Sequence, residues 1–293
     1  CEAQMRDGVI HRMAEGMGLE RMRFAPALAL LNGEYWGLHN VRERQDRYFL
    51  ETHHGVDPDN VDLLALNQEV VSGDTEHYRA MISFIRNNDL AVEANYRYVQ
   101  TQMETDNYAA YCILQIFVAN TDWPSNNIKY WRPRTPEGRW RWILYDTDFG
   151  IGLENYPSHN TLNFATNPSG GLFNPEWATL LLRKLLENDE FERFFILRYA
   201  DYLNTRFRSD QTLPVATAVG MSIRHEIDQH MQRWNKNPQV WRQNLSEIRD
   251  FLTRRSSFAT DHIIQKFALT GTYQLDLAVS PPGSGSIRLT ALE

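Results

Sequence analysis

The sequence predicts an α+β fold, with a small mixed lobe followed by a larger, mostly helical one. Three observations carry that expectation. Asn32-Gly33 stands between two apolar runs, residues 24–31 and 35–41, the strongest short-range signal for a β-hairpin. A second pair of apolar runs, residues 128–132 and 140–145, flanks the polar loop 133–139 and reads as another antiparallel hairpin. From residue 75 onward, outside that hairpin, apolar residues mostly recur at three- and four-residue spacing, the period of a helix with one buried face.

Each element follows from local signals. Met5, Val9, Met13 and Met17 repeat every four positions, so residues 2–17 read as a helix ending at Gly16 or Gly18. After the first hairpin, residues 46–54 form a short helix stopped by Gly55, and residues 61–66 a strand. Helices are expected at 75–86, 92–103 and 106–119. Residues 151–174 lack periodicity and are rich in Asn, Pro, Ser and Gly, and a loop of that length in a compact protein is usually functional or disordered. Helices resume at 175–188, 189–208, 214–234 and 238–267. Two strand-like runs, 273–277 and 286–290, flank a Pro-Gly-Ser connector. The expected division is a partial small lobe at 1–44, the second hairpin with a helical lobe at 45–268, and a truncated β-domain or linker at 269–293.

Composition narrows the function classes. A chain of 293 residues, 42% of them hydrophobic, can bury one large or two-lobed core. A net charge of −7 without a basic run argues against a nucleic-acid groove. The longest apolar stretch, residues 108–119, is too short to cross a bilayer and is broken by Gln115. Cys1 and Cys112 do not make a disulfide framework, and Cys112 in its apolar helix reads as an inert buried thiol. The chain opens on Cys1 with neither initiator Met nor signal sequence, and both ends read as cut from a longer protein.

The chemistry is written between Asp122 and Gly150. If the second hairpin forms, its outer ends close together and Asn127 becomes a neighbour of Asp146. Asp122, Asn127, Asp146 and Asp148 then meet at one rim of a small sheet. Three carboxylates and an amide oxygen repel one another unless a cation sits among them, and a hard divalent ion, Mg²⁺ or Mn²⁺, prefers such ligands. Singly, each of these residues has an ordinary structural explanation as a cap or turn; together, at the two ends a hairpin must join, they point to a site. An Asp, an Asn five residues on and a later Asp-Phe-Gly is also the spacing of protein kinases. In that template the first Asp accepts the proton of the substrate hydroxyl, and the Asn and later Asp hold the metal ions that bridge the ATP phosphates. The helix near Met5–Met17 falls in the place of the regulatory helix. Residues 41–44, with Glu43 among them, fall in the place of the hinge that holds adenine.

On these residues the chain resembles the CotH kinase family. The resemblance rests on Asn32-Gly33-Glu34-Tyr35-Trp36-Gly37-Leu38-His39-Asn40-Val41-Arg42-Glu43, on Asn120-Thr121-Asp122-Trp123-Pro124-Ser125-Asn126-Asn127, and on Trp142-Ile143-Leu144-Tyr145-Asp146-Thr147-Asp148-Phe149-Gly150. It extends from about Arg6 to Phe267. The resemblance implies an atypical protein-kinase-like two-lobed fold that binds ATP with Mg²⁺ or Mn²⁺ and phosphorylates Ser or Thr on coat or secreted proteins, at an extracellular or cell-surface location. Carried over, Asp122 is the catalytic residue, Asn127 a metal ligand and Asp146 or Asp148 the second metal-binding acid, while Asn127, Asp148 and, from the hinge position, Glu43 face the nucleotide. The glycine-rich strands and phosphate-gripping Lys of a kinase should precede Met5, so the small lobe is expected to be incomplete at its start.

Other motifs are read as structural. His225 and His230 are five apart, not the four of a zinc-protease helix, and read as a solvated helix face. His53-His54 reads as a helix end, Lys129 as a strand-surface lysine, and Trp140, Trp142 and Tyr145 as core. Two further functions are carried: a non-catalytic adhesion module on a kinase-like scaffold, and a nucleotide-sugar transferase using Asp146-Thr147-Asp148 as an Asp-x-Asp motif. The second lacks the alternating strand–helix pattern expected of it.

Overall fold

The computed structural model describes residues 3–168, 171–281 and 283–286. Cys1 and most of the 286–290 run therefore lie outside the described residues. The chain begins with α1 (Arg6–Met13), shorter than the expected 2–17 helix. Its Val9, Ile10 and Met13 are buried. β1 (Glu20–Arg21) has no apolar run to announce it. β2 (Phe24–Leu31) and β3 (Glu34–Arg42) form the expected hairpin, with positive φ at both Asn32 (53°) and Gly33 (85°), as its tight turn requires. In α2 (Arg47–His54) the Asp46 carboxylate accepts the Tyr48 and Phe49 N–H groups, and Gly55 closes the helix in the left-handed conformation.

β4 (Val61–Ala65) pairs with β5 (Glu69–Ser72), a partner strand that the sequence reading does not anticipate. α3 (Glu76–Asn87), α4 (Glu93–Gln102) and α5 (Thr105–Phe117) fall close to their expected bounds. β6 (Lys129–Pro133) and β7 (Arg141–Leu144) then pair antiparallel, as the flanking apolar runs require. α6 (Thr161–Ala165) lies inside the segment expected to be a loop, capped by Asn160. The large lobe closes with α7 (Glu176–Leu185), α8 (Asp189–Asn204), α9 (Ser209–Ile223), α10 (Ile227–Arg233) and α11 (Pro238–Lys266).

The main sheet runs β1-β7-β6-β4-β5, with β1 parallel to β7 and the other pairs antiparallel. Side chains alternate between its faces. Leu64, Tyr130, Trp142 and Leu144 enter the large core with α1, α5, α8, α9 and α11. Val61, Leu63, Trp131 and Ile143 instead meet Phe49 and Leu50 of α2 in a second, smaller cluster. Trp140 and Trp142 are core residues, as expected. α1, grouped with the first hairpin in the sequence reading, shares the core of the helical lobe.

Three expectations are corrected. The helix expected at 214–234 starts earlier, at Ser209, and takes Pro214 into its second turn, where the missing N–H loses one helical bond. It also ends at Ile223, and a 3-10 turn (Arg224–Glu226) separates it from α10. His230 on α10 is buried rather than solvated: its Nδ1 accepts the Leu38 N–H of β3 at 3.0 Å. Beside it Trp36 meets Trp234 edge-on at 5.5 Å. Gly37 is required there, because a Cβ would lie 2.9 Å from both His230 Nδ1 and Trp234 Nε1 on a backbone at φ 122°. Finally, residues 273–277 form no strand. Their Tyr and Leu side chains alternate as a strand's would, but among the described residues no backbone pairs with them, and Tyr273 and Leu275 are exposed.

Candidate functional site

The register of the second hairpin decides which residues meet. Lys129 pairs with Ile143 and Tyr130 with Trp142, so the residues just beyond the strand ends leave side by side. Asn127 Nδ2 donates to the main-chain oxygen of Asp146 at 3.0 Å and to Asp122 Oδ2 at 2.6 Å. Asn126 Nδ2 reaches the same carboxylate oxygen at 3.0 Å. From the other side, the Asp122 N–H donates to Asn120 Oδ1 at 3.1 Å, and Asn120 Nδ2 donates to Gln115 Oε1 of α5 at 2.9 Å. The buried helix thus delivers Asp122, and the hairpin delivers Asn127 and Asp146. Trp123 is buried beside them, and the Trp123–Pro124 peptide is cis.

The carboxylates act on one another. The Asp146 carboxyl lies above the usual carboxylate range, through burial first and then through the like charges of Asp148 and Asp122, with Arg42 opposing. Tyr145 is pushed up to about 12 by burial, with Asp146 and Asp122 adding. Three cations surround the group. Burial lowers Arg42 while Asp146 and Asp148 hold its charge in place. Burial likewise lowers Arg6, opposed by Glu247 and then Asp148. Lys129 opens β6, half-buried: its Nζ sits 4.4 Å from the Tyr145 ring centre and donates to the Gln45 oxygen at 3.4 Å.

Glu43 stands apart from this cluster. Its carboxylate accepts the Arg23 N–H at 2.8 Å and pairs with His53 Nε2 at 2.8 Å, just past the end of β3. Asp148 follows the hairpin between Thr147, which is fully buried, and Phe149, which is partly exposed. Gly150 then passes so close to α1 that a Cβ would lie 2.9 Å from Ile10 Cδ1.

Sequence reasoning missed Asp7 and Arg6. Asp7 Oδ1 accepts both the N–H and the hydroxyl of Thr147, at 2.6 and 2.8 Å, and Oδ2 pairs with Arg42. Arg6 Nη1 donates to Asn244 Oδ1 at 2.6 Å, and Nη2 lies 3.4 Å from Glu247. No one-dimensional signal reveals either residue, since both look like the polar side of an amphipathic helix. Beyond Glu247 opens a cleft of about 820 Å³ between residues 152–157 and α11, with Glu154, Glu247 and Asp250 on its walls.

Among the described residues no three His, Cys, Asp or Glu side chains make a ready metal cage. Mg²⁺ usually takes only one or two carboxylates and completes its shell with water and substrate phosphates. A carboxylate disfavoured by two like neighbours is relieved by such a cation, so the oxygen donors of Asp146, Asp148 and Asn127 fit one.

Helices around a mixed sheet, with an Asp and an Asn five residues on bonded to the residue two before an Asp-Phe-Gly run, are the marks of a kinase-like protein. The family model described as CotH kinase protein matches residues 2–259, and the chain belongs to that family. No curated protein matches the chain.

Proposed function

We propose that the protein transfers the γ-phosphoryl group of ATP to a Ser or Thr hydroxyl of a protein substrate, using Mg²⁺ or Mn²⁺, and that it does so outside the cell or at its surface. One observation carries this reading: a single amide nitrogen, Asn127 Nδ2, ties the Asp122 carboxylate to the backbone of Asp146. It supports a fixed spacing between the group that takes the proton and the groups that hold the ion.

Asp122 accepts the hydroxyl proton as the oxygen attacks the γ-phosphorus, and the bond from that phosphorus to the bridging oxygen breaks to release ADP. Asn126 and Asn127 orient its carboxylate. Asp146, Asp148 and the side-chain oxygen of Asn127 would hold the ion, which when bound would neutralise charge on the phosphates. Arg42, Arg6 and Lys129 add fixed positive charge around the anionic group. The open cleft along α11 gives a protein segment an approach beside residues 152–157, which follow Asp148 in the chain. The secreted or surface location rests on kinship alone.

The test is transfer of labelled phosphate from ATP to a protein acceptor. Asp122→Ala should lower the rate about 10²–10⁴-fold with an unchanged circular dichroism spectrum. Undiminished transfer in that variant would remove Asp122 from its role.

A further inference from the structure

The peptide unit joining Asp146 to Thr147 is held from both sides. Its carbonyl oxygen accepts Asn127 Nδ2 at 3.0 Å, and its N–H donates to Asp7 Oδ1 at 2.6 Å. The Thr147 hydroxyl donates to the same Asp7 oxygen at 2.8 Å. Both partners are sealed from solvent, Asp7 at 2% and Thr147 at 0% exposure. The second Asp7 oxygen pairs with Arg42 at the end of β3. One helical turn on, His11 Nε2 stands 3.4 Å from Asp7 Oδ1.

This is more bonding than a helix needs to pack. A buried carboxylate is retained only when donors satisfy it, and here the donors come from the loop between the two metal-binding acids and from β3. Asp146 itself has a φ of 48°, a left-handed conformation that a non-glycine residue keeps only when its surroundings hold it. Release of the Thr147 N–H would let that peptide rotate, and the side chains of Asp146 and Asp148 would swing with it.

We infer that Asp7 is a positioning residue: it fixes the backbone between Asp146 and Asp148 and holds Arg42 aside, so that α1 sets how well these acids are presented to a divalent ion. The inference rests on the metal-dependent reading above. Arg42 is the second half of the device. Its charge acts on both Asp146 and Asp148, and once freed from Asp7 it competes with the ion for them.

The experiment is Mn²⁺ titration of the nucleotide-free protein, followed by water-proton relaxation, with hydrogen exchange read at the Thr147 amide. Asp7→Asn should weaken Mn²⁺ binding at least about tenfold, as loss of an outer-shell partner does in metal sites, and accelerate exchange at Thr147. Thr147→Val should weaken binding in the same direction, and Thr147→Ser, which keeps the hydroxyl, should bind closer to wild type. In the transfer assay the Mn²⁺ concentration for half-maximal rate should rise while the acceptor KM stays put. Wild-type Mn²⁺ affinity in both Asp7→Asn and Thr147→Val would overturn the inference, as would a wild-type protein that binds no Mn²⁺. A wild type that binds Mn²⁺ with this dependence on Asp7 and yet transfers no phosphate would defeat the kinase reading alone.

Discussion

Asn127 and Asp146 both adopt left-handed backbone angles, φ 54° and 48°, at the two outer ends of one hairpin. Asn and Asp tolerate that region better than other side-chain-bearing residues, and strain of this kind gathers where function needs a fixed geometry. The amide of Asn127 is what makes the conformation useful, because its nitrogen reaches a carboxylate and a carbonyl at once. Asp122 has no such strain and is aimed through the chain Gln115–Asn120 instead. Cys112 shows the opposite case, a reactive residue type made inert. It is fully buried on α5 and burial raises its thiol far above the ordinary value. A disulfide reagent should therefore leave the native protein's Cys112 unmodified and label it only after unfolding. Labelling at the rate of a free thiol under native conditions would contradict that burial.

At the scale of elements, α11 is tied to the site by one buried cation. Arg255 is 0% exposed and donates to four carbonyls: Phe117 at 2.7 Å, Ile116 at 2.7 Å, Pro157 at 2.6 Å and His159 at 2.8 Å. The first two belong to the end of α5, where unpaired carbonyls and the negative end of the helix dipole favour a cation. The other two lie within the segment that follows Asp148, just before α6. Arg255→Leu removes a donor from all four and leaves the Phe117 and Pro157 oxygens without the one they have here, while Ile116 and His159 keep the Ala119 and Thr161 N–H groups. It should cost about 3 kcal/mol, seen as a fall in melting temperature of roughly 6–12 °C. A shift of under a degree would show that water replaces the guanidinium without loss. This cation also marks the limit of what sequence shows. Both hairpins, the helix stopped by Gly55 and most other helices are legible because their causes lie within a few residues: the Asn-Gly turn, apolar runs, a closing glycine and the helical period. Arg6, Asp7 and Arg255 sit on polar-looking helix positions, and their partners lie far away in the chain. His230 was misread for the same reason, since only the approach of β3 buries it. The convergence of Asp122, Asn127 and Asp146 was legible because one hairpin enforces it.

At the scale of the whole molecule, burial of neutral histidines makes stability depend on pH. His11 is fully enclosed, and burial lowers it to about 3 from an ordinary value near 6.5. His230 is lowered too, again mainly by burial, and must stay unprotonated at Nδ1 to accept the Leu38 N–H. Both groups are depressed in the folded state, so the unfolded chain takes up their protons first as pH falls. Stability is then complete above about pH 6.5 and declines below it. His11 alone accounts for roughly 2 kcal/mol between pH 7 and pH 5. Glu20 and Asp146, raised by burial, work in the opposite sense over their own range and soften the decline. Urea unfolding should give a lower midpoint at pH 5 than at pH 7.5, and His11→Phe should flatten the difference. A midpoint that rises on acidification would refute this account.

The two sheets differ in what they offer to other chains. The larger one ends in strands of two and four residues, too short to template another strand. β2 is eight residues long, pairs among the described residues only with β3 and carries Leu28, Leu30 and Leu31 half or more exposed. At high concentration, self-association through backbone pairing would therefore nucleate along β2, and colloidal behaviour would be governed by that one ribbon rather than by the half of the protein that carries Asp122 and Asp146.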